Sequence, residues 1–227
     1  MSGRYSSKPK AKKDLTIYLD LDGPLIDFSE RSYRAYRDSL EPKQDERPLK
    51  RAAYWRRKRS RYALEEIYKA SGGRGYFGRF KRGYLRRIEA PVYLKFDRLN
   101  KNALEFLKRQ RGSKVVLVTL RRNRRNLIQE LNRFKIKDYF DAILSRPNRK
   151  EAYKEKIRLI SAGGFFNKRN SVIIGDTEAD ILAGRYLRIK AIAVLSGIRS
   201  LALLKRLKPL RIVRDLGALK TIDGEIS

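Results

Sequence analysis

Residues 14–27 have the sequence DLTIYLDLDGPLID, which carries the clearest signal for the fold of this chain. An unbroken apolar run at residues 15–19 leads directly into Asp20 and Asp22, and Gly23 follows. Unbroken apolar runs are typical of parallel strands that are buried on both faces. Two residues that are two positions apart project to the same side of an extended chain, and glycine permits a sharp turn after them. The stretch therefore predicts a buried strand that ends in two carboxylates beside a tight turn.

Further apolar runs along the chain repeat this pattern. Strong runs occupy residues 114–119 (KVVLVT), 171–175 (SVIIG) and 191–196 (AIAVLS), and weaker ones occupy residues 142–144 and 211–213. Helical patterns lie between them, at residues 99–110, 124–134, 151–160 and 180–187. Strands that alternate with helices favour an α/β fold with a doubly wound parallel sheet.

The pattern changes between the first two strong runs. Residues 29–96 contain no convincing strand, and their aromatic residues recur at helical spacing. A segment of roughly 70 residues is too long for a crossover loop, so we predict a small α-helical domain inserted here. The Rossmann-like core would comprise residues 14–28 and 97–227, and the Ser-, Lys- and Pro-rich residues 1–13 are predicted to be a disordered basic tail.

The absence of two residue types restricts the chemistry. The chain has no Cys and no His, which excludes disulfides, thiolate nucleophiles, imidazole bases and zinc sites with Cys or His ligands. Acid–base chemistry must then come from carboxylates, Lys or Tyr. A bound metal must be a hard cation with oxygen ligands, such as Mg²⁺.

The charge of the chain is strongly positive. Lys and Arg number 56 against 25 Asp and Glu, giving a formal net charge of +31. Such a chain attracts phosphates, nucleic acid or anionic membrane, and two basic stretches, residues 50–62 and 72–87, make a polyanion or nucleic acid a candidate partner of the inserted domain. The alternative is that these charges only solvate helix faces. No apolar run reaches the length of a membrane span, so a cytoplasmic location is expected, and nothing specifies an oligomeric state.

Polar residues follow three of the predicted strands. Asp20 and Asp22 follow the first, Thr119 ends the second, and Asp176 and Asp180 follow the third. Ligands of open parallel sheets bind beyond the carboxyl ends of the strands, so these side chains should converge. The alternative is that the aspartates are turn and helix N-cap residues. Since four carboxylates at one place require a cation, their coincidence with Thr119 favours a Mg²⁺ site.

These residues resemble motifs of a known family. The stretches DLDGPLID at residues 20–27, VVLVT at residues 115–119 and GDTEAD at residues 175–180 are similar to motifs I, II and IV of the haloacid dehalogenase superfamily. The helical insertion is in the position of the superfamily's C1 cap, and the VLSGI stretch at residues 194–198 resembles phosphoglycolate-phosphatase-like hydrolases. Pro24 departs from the motif, which usually has Thr there, and should stiffen the turn.

The resemblance implies a role for each matching residue. Asp20 would be the nucleophile that forms an aspartyl-phosphate, and Asp22 would be the general acid and base. Mg²⁺ would bind Asp20, the Asp22 backbone carbonyl, Asp176 and Asp180. Thr119 would bind the transferring phosphoryl group.

The resemblance also requires a lysine near the nucleophile, and the sequence offers several. We predict Lys150 for this role, with Lys154 as second choice and Lys156 also near, and we predict that Gly23 takes part in phosphate binding. The arginines that follow Thr119 are interpreted as the solvated first turns of a helix, with phosphate contact as the alternative; they are Arg121, Arg122, Arg124 and Arg125.

Three functions are compatible with these motifs. The first is a phosphatase that acts on a small phosphorylated metabolite such as phosphoglycolate. The second is a phosphatase for nucleotides or nucleic-acid ends, which the basic insertion suggests. The third is a nucleic-acid-binding protein whose hydrolase site is vestigial, which the intact set of motifs disfavours.

Overall fold

The core of the protein is a parallel sheet, seen in a computed structural model that describes residues 15–41, 46–148, 151–220 and 222. Within these residues six strands form the sheet in the order β5-β4-β1-β6-β7-β8, and two short strands, β2 and β3, pair antiparallel outside it. The strands are β1 (Thr16–Leu19), β2 (Ile26–Asp27), β3 (Arg98–Leu99), β4 (Lys114–Thr119), β5 (Ala142–Ser145), β6 (Ser171–Gly175), β7 (Lys190–Val194) and β8 (Arg211–Val213).

The central strand β1 marks the point where the strand order reverses. The chain runs from β1 outward through β4 and β5 on one side, and then through β6, β7 and β8 on the other. Leu19, the last residue of β1, pairs with Leu117 of β4 and Ile174 of β6. Residues that follow these strands therefore emerge together at the crevice where doubly wound sheets bind their ligands.

Helices cover both faces of the sheet, as expected for strands that are apolar throughout. The core helices are α6 (Ala103–Arg109), α7 (Arg124–Arg133), α8 (Ala152–Ala162), α9 (Glu178–Leu187) and α10 (Leu201–Arg206), numbered after five helices of the insertion. Ile17 and Leu117 face a cluster on one side of the sheet, whereas Tyr18 and Val116 face a cluster on the other. No helix in the described part of the chain is both long and apolar enough to cross a membrane.

Between β2 and β3 lies a segment that we call the helical insert (residues 29–96), and its described residues, 29–41 and 46–96, contain five helices. They are α1 (Ser29–Arg37), α2 (Arg51–Arg59), α3 (Leu64–Lys69), α4 (Phe77–Arg87) and α5 (Pro91–Leu94). The insert has its own aromatic core, in which the Tyr36 and Tyr54 rings stack 4.5 Å apart and the Tyr68 and Phe80 rings stack 4.8 Å apart. Each buried tyrosine hydroxyl has a hydrogen-bond partner in Ser32, Ser71 or Glu46, which removes the cost of burying it.

The insert contacts the core through arginines that donate to backbone carbonyls. In one contact the Arg59 guanidinium donates to Gly197 O at 2.8 Å, and in another the Arg199 guanidinium donates to Lys58 O at 2.9 Å. On the opposite side of the site, Arg133 and Arg122 of the core donate to Leu94 O and Leu85 O of the insert. We call these four hydrogen bonds the carbonyl contacts.

Most element bounds agree with the sequence predictions. The runs at residues 114–119, 171–175 and 211–213 are strands over the predicted residues, and the weak run at residues 142–144 is one residue longer. The helix predicted at residues 99–110 begins only at Ala103, because Leu99 pairs with Ile26 in the short antiparallel ribbon. Helix α10, β2 and β3 were not predicted, and the tail at residues 1–13 lies outside the described residues.

Candidate active site

Three carboxylates meet at the carboxyl end of the sheet. Asp20 follows β1, Asp176 follows β6, and Asp180 lies in the first turn of α9. One carboxylate oxygen from each lies within 4.8 Å of the others. Asp20 Oδ1 accepts a hydrogen bond from the Leu21 amide at 2.8 Å, which fixes the direction of the carboxylate. The convergence that the sequence predicted for these three aspartates is therefore present.

Lys156 of α8 lies beside the three carboxylates. Its Nζ is 2.8 Å from Asp20 Oδ2 and also donates to Asp180 Oδ1, and its side chain is only 2% exposed. Burial alone would lower the pKa of Lys156, but the charges of Asp180 and Asp20 more than offset it, so the pKa is raised and the ammonium persists. Burial raises the pKa of Asp20 to about 7, although Lys156 opposes the shift.

Glycines are required where the backbone approaches the carboxylates. A Cβ at Gly23 or at Gly197 would overlap the Asp176 carboxylate, and one at Gly175 would overlap the Asp180 side chain. Gly23 also has a positive φ of +104°, which glycine adopts without strain. Its amide donates to Ile26 O at 2.9 Å within the turn and is therefore not a free donor for phosphate. The part in phosphate binding that we predicted for Gly23 would then consist in leaving space, since it has no side chain.

The arrangement of the carboxylates fits a hard divalent cation. Asp176 Oδ2 accepts from the Ile198 amide at 2.5 Å, whereas Asp176 Oδ1 is buried and has no hydrogen-bond partner in the described residues. When all three are ionised, Asp20, Asp176 and Asp180 carry three negative charges against one positive charge on Lys156. Burial together with Asp20 and Asp180 raises the pKa of Asp176 well above its usual range, so the ionised cluster needs a further positive charge. A buried carboxylate oxygen without a donor is the ligand that Mg²⁺ prefers.

Asp180 has less capacity for a metal than Asp176. Its Oδ1 accepts from Lys156, and its Oδ2 accepts from the Thr177 hydroxyl at 2.8 Å and the Thr177 amide at 3.2 Å. Thus Asp180 also forms the capping box of α9. Asp180 is thus a capping residue at position N3 of α9 as well as a member of the carboxylate cluster, whereas the N-cap role that the sequence left as an alternative belongs to Thr177.

We expect Mg²⁺ to raise the melting temperature of the wild-type protein by about 5–10 °C at a concentration near 100 times its dissociation constant. Asp176→Asn should lose most of this rise, because it removes one charge from the oxygen that has no protein partner. The measurement is differential scanning fluorimetry over a Mg²⁺ series. Asp138→Asn, which removes an exposed carboxylate, is the matched control, and an equal Mg²⁺ response in Asp176→Asn would exclude Asp176 as a ligand.

A cavity of about 360 Å³ opens beside Asp20 and Asp22, which both line it. Thr119, at the end of β4, lines it together with Asp20 and Lys156, as do Tyr84 and Ile88 of the insert. The insert thus forms one wall of the site. A volume of this size lies at the lower end of the range for small-molecule pockets.

Asp22 does not lie with the other carboxylates but is held by two arginines. Arg121 Nε and Nη2 donate to its two oxygens at 2.7 and 2.8 Å, and Arg31 Nη2 donates to Oδ1 at 2.7 Å. Burial would raise the pKa of Asp22, but Arg121 and Arg31 hold it well below its usual range.

The interpretation of Arg121 as a solvated residue was wrong. Its side chain is only 6% exposed, because Asp22, Asp97 and Glu130 surround it. Arg122, Arg124 and Arg125 are exposed, as expected. Nothing in the sequence distinguishes Arg121 from these three residues, since all four belong to the same basic run.

The predicted lysines have different positions. Lys150 lies outside the described residues, and Lys154 is at the surface, where it pairs with Glu151. Lys156, which the sequence analysis ranked last, is the lysine that contacts Asp20. The signal that could have identified it is that α8 begins at Ala152, which turns Lys156 toward the buried side of the helix and Lys154 toward solvent.

Comparisons with known proteins agree with this fold. The model of the haloacid dehalogenase-like hydrolase family matches residues 17–194, whereas no curated protein matches the chain. Among solved structures, a protein described as a predicted phosphatase from Clostridium acetobutylicum is 22% identical, with a TM-score of 0.76 over 93% of this chain and 98% of its own. A protein described as a predicted phosphoglycolate phosphatase from Haemophilus somnus is 18% identical, with a TM-score of 0.71 over 95% of this chain and 100% of its own. At these identities the similarity establishes the fold.

Proposed function

The chain belongs to the haloacid dehalogenase-like hydrolase family, and on that premise we propose that it is a Mg²⁺-dependent phosphatase of small phosphate monoesters. The observation that carries the proposal is the contact between Asp20 and Lys156 at the floor of a cavity that Thr119 also lines. A carboxylate at this point, beside a fixed ammonium, is positioned to attack an electrophile whose oxygens carry negative charge.

The first step transfers the phosphoryl group to the protein. Asp20 attacks phosphorus, a bond from its carboxylate oxygen to phosphorus forms, and the bond between phosphorus and the ester oxygen breaks. Asp22, which first leaves the two arginines and takes up a proton from solvent, donates that proton to the departing alkoxide, which leaves as the alcohol. Lys156 and the Thr119 hydroxyl bind the phosphoryl oxygens while their charge develops.

The second step regenerates the carboxylate. Water attacks the phosphorus of the aspartyl-phosphate, and Asp22, now ionised, accepts a proton from that water. The bond between phosphorus and the Asp20 oxygen breaks, which releases inorganic phosphate. Bound Mg²⁺, held by Asp20, Asp176, the Asp22 carbonyl and Asp180, would supply positive charge that offsets the charge of the phosphoryl oxygens.

The size of the cavity supports a small substrate. A volume of about 360 Å³ accommodates a phosphorylated metabolite more readily than a nucleotide within a strand. Phosphoglycolate, the substrate named in the description of the Haemophilus somnus protein, is therefore the first compound to assay. The alternative substrates, nucleotides and nucleic-acid ends, are supported only by the basic residues of α2 and α4.

The proposal is tested with a panel of substrates. We expect release of phosphate from small monoesters with Mg²⁺, no release after chelation of the metal with EDTA, and recovery with Mg²⁺ rather than Ca²⁺. Oligonucleotides with a 3′- or a 5′-phosphate form the second arm of the panel. Faster hydrolysis of the oligonucleotides would replace the small-molecule proposal, and no hydrolysis of any ester would favour the vestigial-site alternative.

A further inference from the structure

Two buried arginines line the cavity beside the candidate nucleophile. Arg31 comes from α1 of the insert, and Arg121 follows β4 of the core. Their side chains are 2% and 6% exposed, and both line the cavity that contains Asp20. Arg121 donates through two nitrogens to Asp22, which is the planar, two-pronged geometry that guanidinium groups use to bind carboxylate and phosphate.

Acidic residues behind the two arginines fix their positions. Arg31 Nη1 is 3.1 Å from Asp97 Oδ2, and Arg121 Nη2 is 3.2 Å from Glu130 Oε2. The Arg31 guanidinium also lies 5.4 Å from the centre of the Phe28 ring. Its Nε is buried and has no hydrogen-bond partner within the described residues, so this guanidinium retains a donor that no protein group uses.

The arginines hold the Asp22 carboxylate, which the proposed reaction requires at the ester oxygen of the substrate. In the proposed reaction Asp22 delivers a proton to the ester oxygen, but here both of its oxygens accept hydrogen bonds from guanidinium groups. Asp22 must therefore rotate away before it can act. Asp97 and Glu130 would still balance the charge of the two arginines, but the departure of Asp22 would leave buried N–H donors of both guanidinium groups without their acceptor, and unsatisfied buried donors are costly.

A substrate that brings its own second anion removes this difficulty. We propose that Arg31 and Arg121 bind a second oxyanion of the substrate, a carboxylate or a second phosphate, which takes the place of the Asp22 side chain and releases it to the ester oxygen. This inference rests on the proposed phosphatase function and specifies its substrate class. The side chain of Asp22 has a single methylene, so its carboxylate can move only a short distance from the two arginines to the ester oxygen. The second anion of the substrate, bound by the arginines, therefore lies within one or two carbons of the ester oxygen.

A purely structural role for the arginines predicts a different result. If the cluster only attached the insert to the core, its arginines would contribute equally to the hydrolysis of every ester. If they bind substrate, they contribute specifically to esters that carry the second anion. The ratio of kcat/KM between two matched esters separates the two roles, because general damage to the site cancels from the ratio.

The first experiment uses the wild-type protein and three probes. Phosphoglycolate has a carboxylate where ethyl phosphate has a methyl group, and ethylene glycol bisphosphate carries a second phosphate instead. We expect kcat/KM with Mg²⁺ to be about 10- to 100-fold higher for at least one probe with a second anionic group than for ethyl phosphate, as charge-assisted hydrogen bonds imply. The better of the two identifies whether carboxylate or phosphate is preferred.

The second experiment uses variants of the pair. Arg121→Gln and Arg31→Gln should reduce the ratio to within about threefold of unity, and Arg121→Lys, which retains the buried charge and so protects the fold, should reduce it partly. Arg185→Gln is the matched control, because this arginine also donates to a carbonyl, that of Leu207, but lies away from the cavity. The control should keep the wild-type ratio.

The outcomes distinguish this inference from the proposed function. Hydrolysis of all three probes by the wild type at similar kcat/KM would overturn the inference and leave the phosphatase function intact. A wild-type preference that survives in folded Arg121→Gln and Arg31→Gln would overturn it as well. Absence of Mg²⁺-dependent hydrolysis of any phosphate monoester would overturn the proposed function and this inference together.

Discussion

Asp20→Asn should reduce turnover by about 10⁴-fold or more, because a carboxamide is a poor nucleophile and cannot form the acyl-phosphate. The substitution conserves the shape of the side chain and the oxygen that accepts from the Leu21 amide. It replaces the oxygen nearest Lys156 Nζ with an NH₂ group, so two donors would face each other there. The fold should persist, while the local charge balance changes.

The measurement combines kinetics with a mimic of the intermediate. Beryllium fluoride complexes should bind the wild type in the presence of Mg²⁺, because a carboxylate oxygen can bind beryllium as it would bind phosphorus, and they should not bind Asp20→Asn. Asp138→Asn, at the surface, serves as the control for loss of one negative charge. Full activity in Asp20→Asn would show that another group attacks phosphorus.

Lys156→Met should show the second largest effect, because it removes the only cation that contacts Asp20 and Asp180 among the described residues. We expect kcat to fall by about 10³-fold, as for the loss of other preorganised charge donors. Without metal the free energy of unfolding should fall by about 3–5 kcal/mol, since carboxylates would remain buried without their partner. This loss corresponds to a decrease in melting temperature of roughly 10 °C.

Two further lysines on the same stretch provide the controls. Lys154→Met removes an exposed lysine two residues away, and its stability should change by less than about 0.5 kcal/mol. Lys150→Met tests the lysine that the sequence analysis selected. If Lys150→Met abolished turnover while Lys156→Met retained it, the original prediction would be preferred over the contact seen in the structure.

The sequence was informative wherever a pattern is local. The apolar runs located the strands, and the position of Asp20, Asp176 and Thr119 at strand ends was enough to predict that they converge. Short elements gave no such signal: β2 and β3 have two residues each, and their pairing joins segments some 70 positions apart. Neither periodicity nor composition carries information on a pairing of that kind.

The missed residues of the site share one cause, which is that their burial depends on distant partners. Arg121 looks like its basic neighbours until Asp97 and Glu130 are placed beside it by the fold. In the sequence Lys156 does not differ from the many other lysines, and it is distinguished only by its contact with Asp180 of α9 in the folded chain. In a chain with 56 basic residues, the few that are buried can be found only from the acids they meet.

The carbonyl contacts between insert and core have a consequence for how this protein varies among its relatives. In each of the four, one partner is an arginine side chain and the other is the backbone oxygen of Gly197, Lys58, Leu94 or Leu85. Every amino acid has a backbone carbonyl oxygen, so a substitution at the residue that accepts the hydrogen bond leaves the acceptor of the arginine unchanged. Paired substitutions, the signal from which contacts are inferred in alignments, should therefore be weak at these four contacts, in contrast to side-chain pairs between insert and core such as Arg31–Asp22 and Arg61–Glu178. Evolutionary couplings would then miss these four contacts, and each of their arginines would appear as an isolated site of purifying selection.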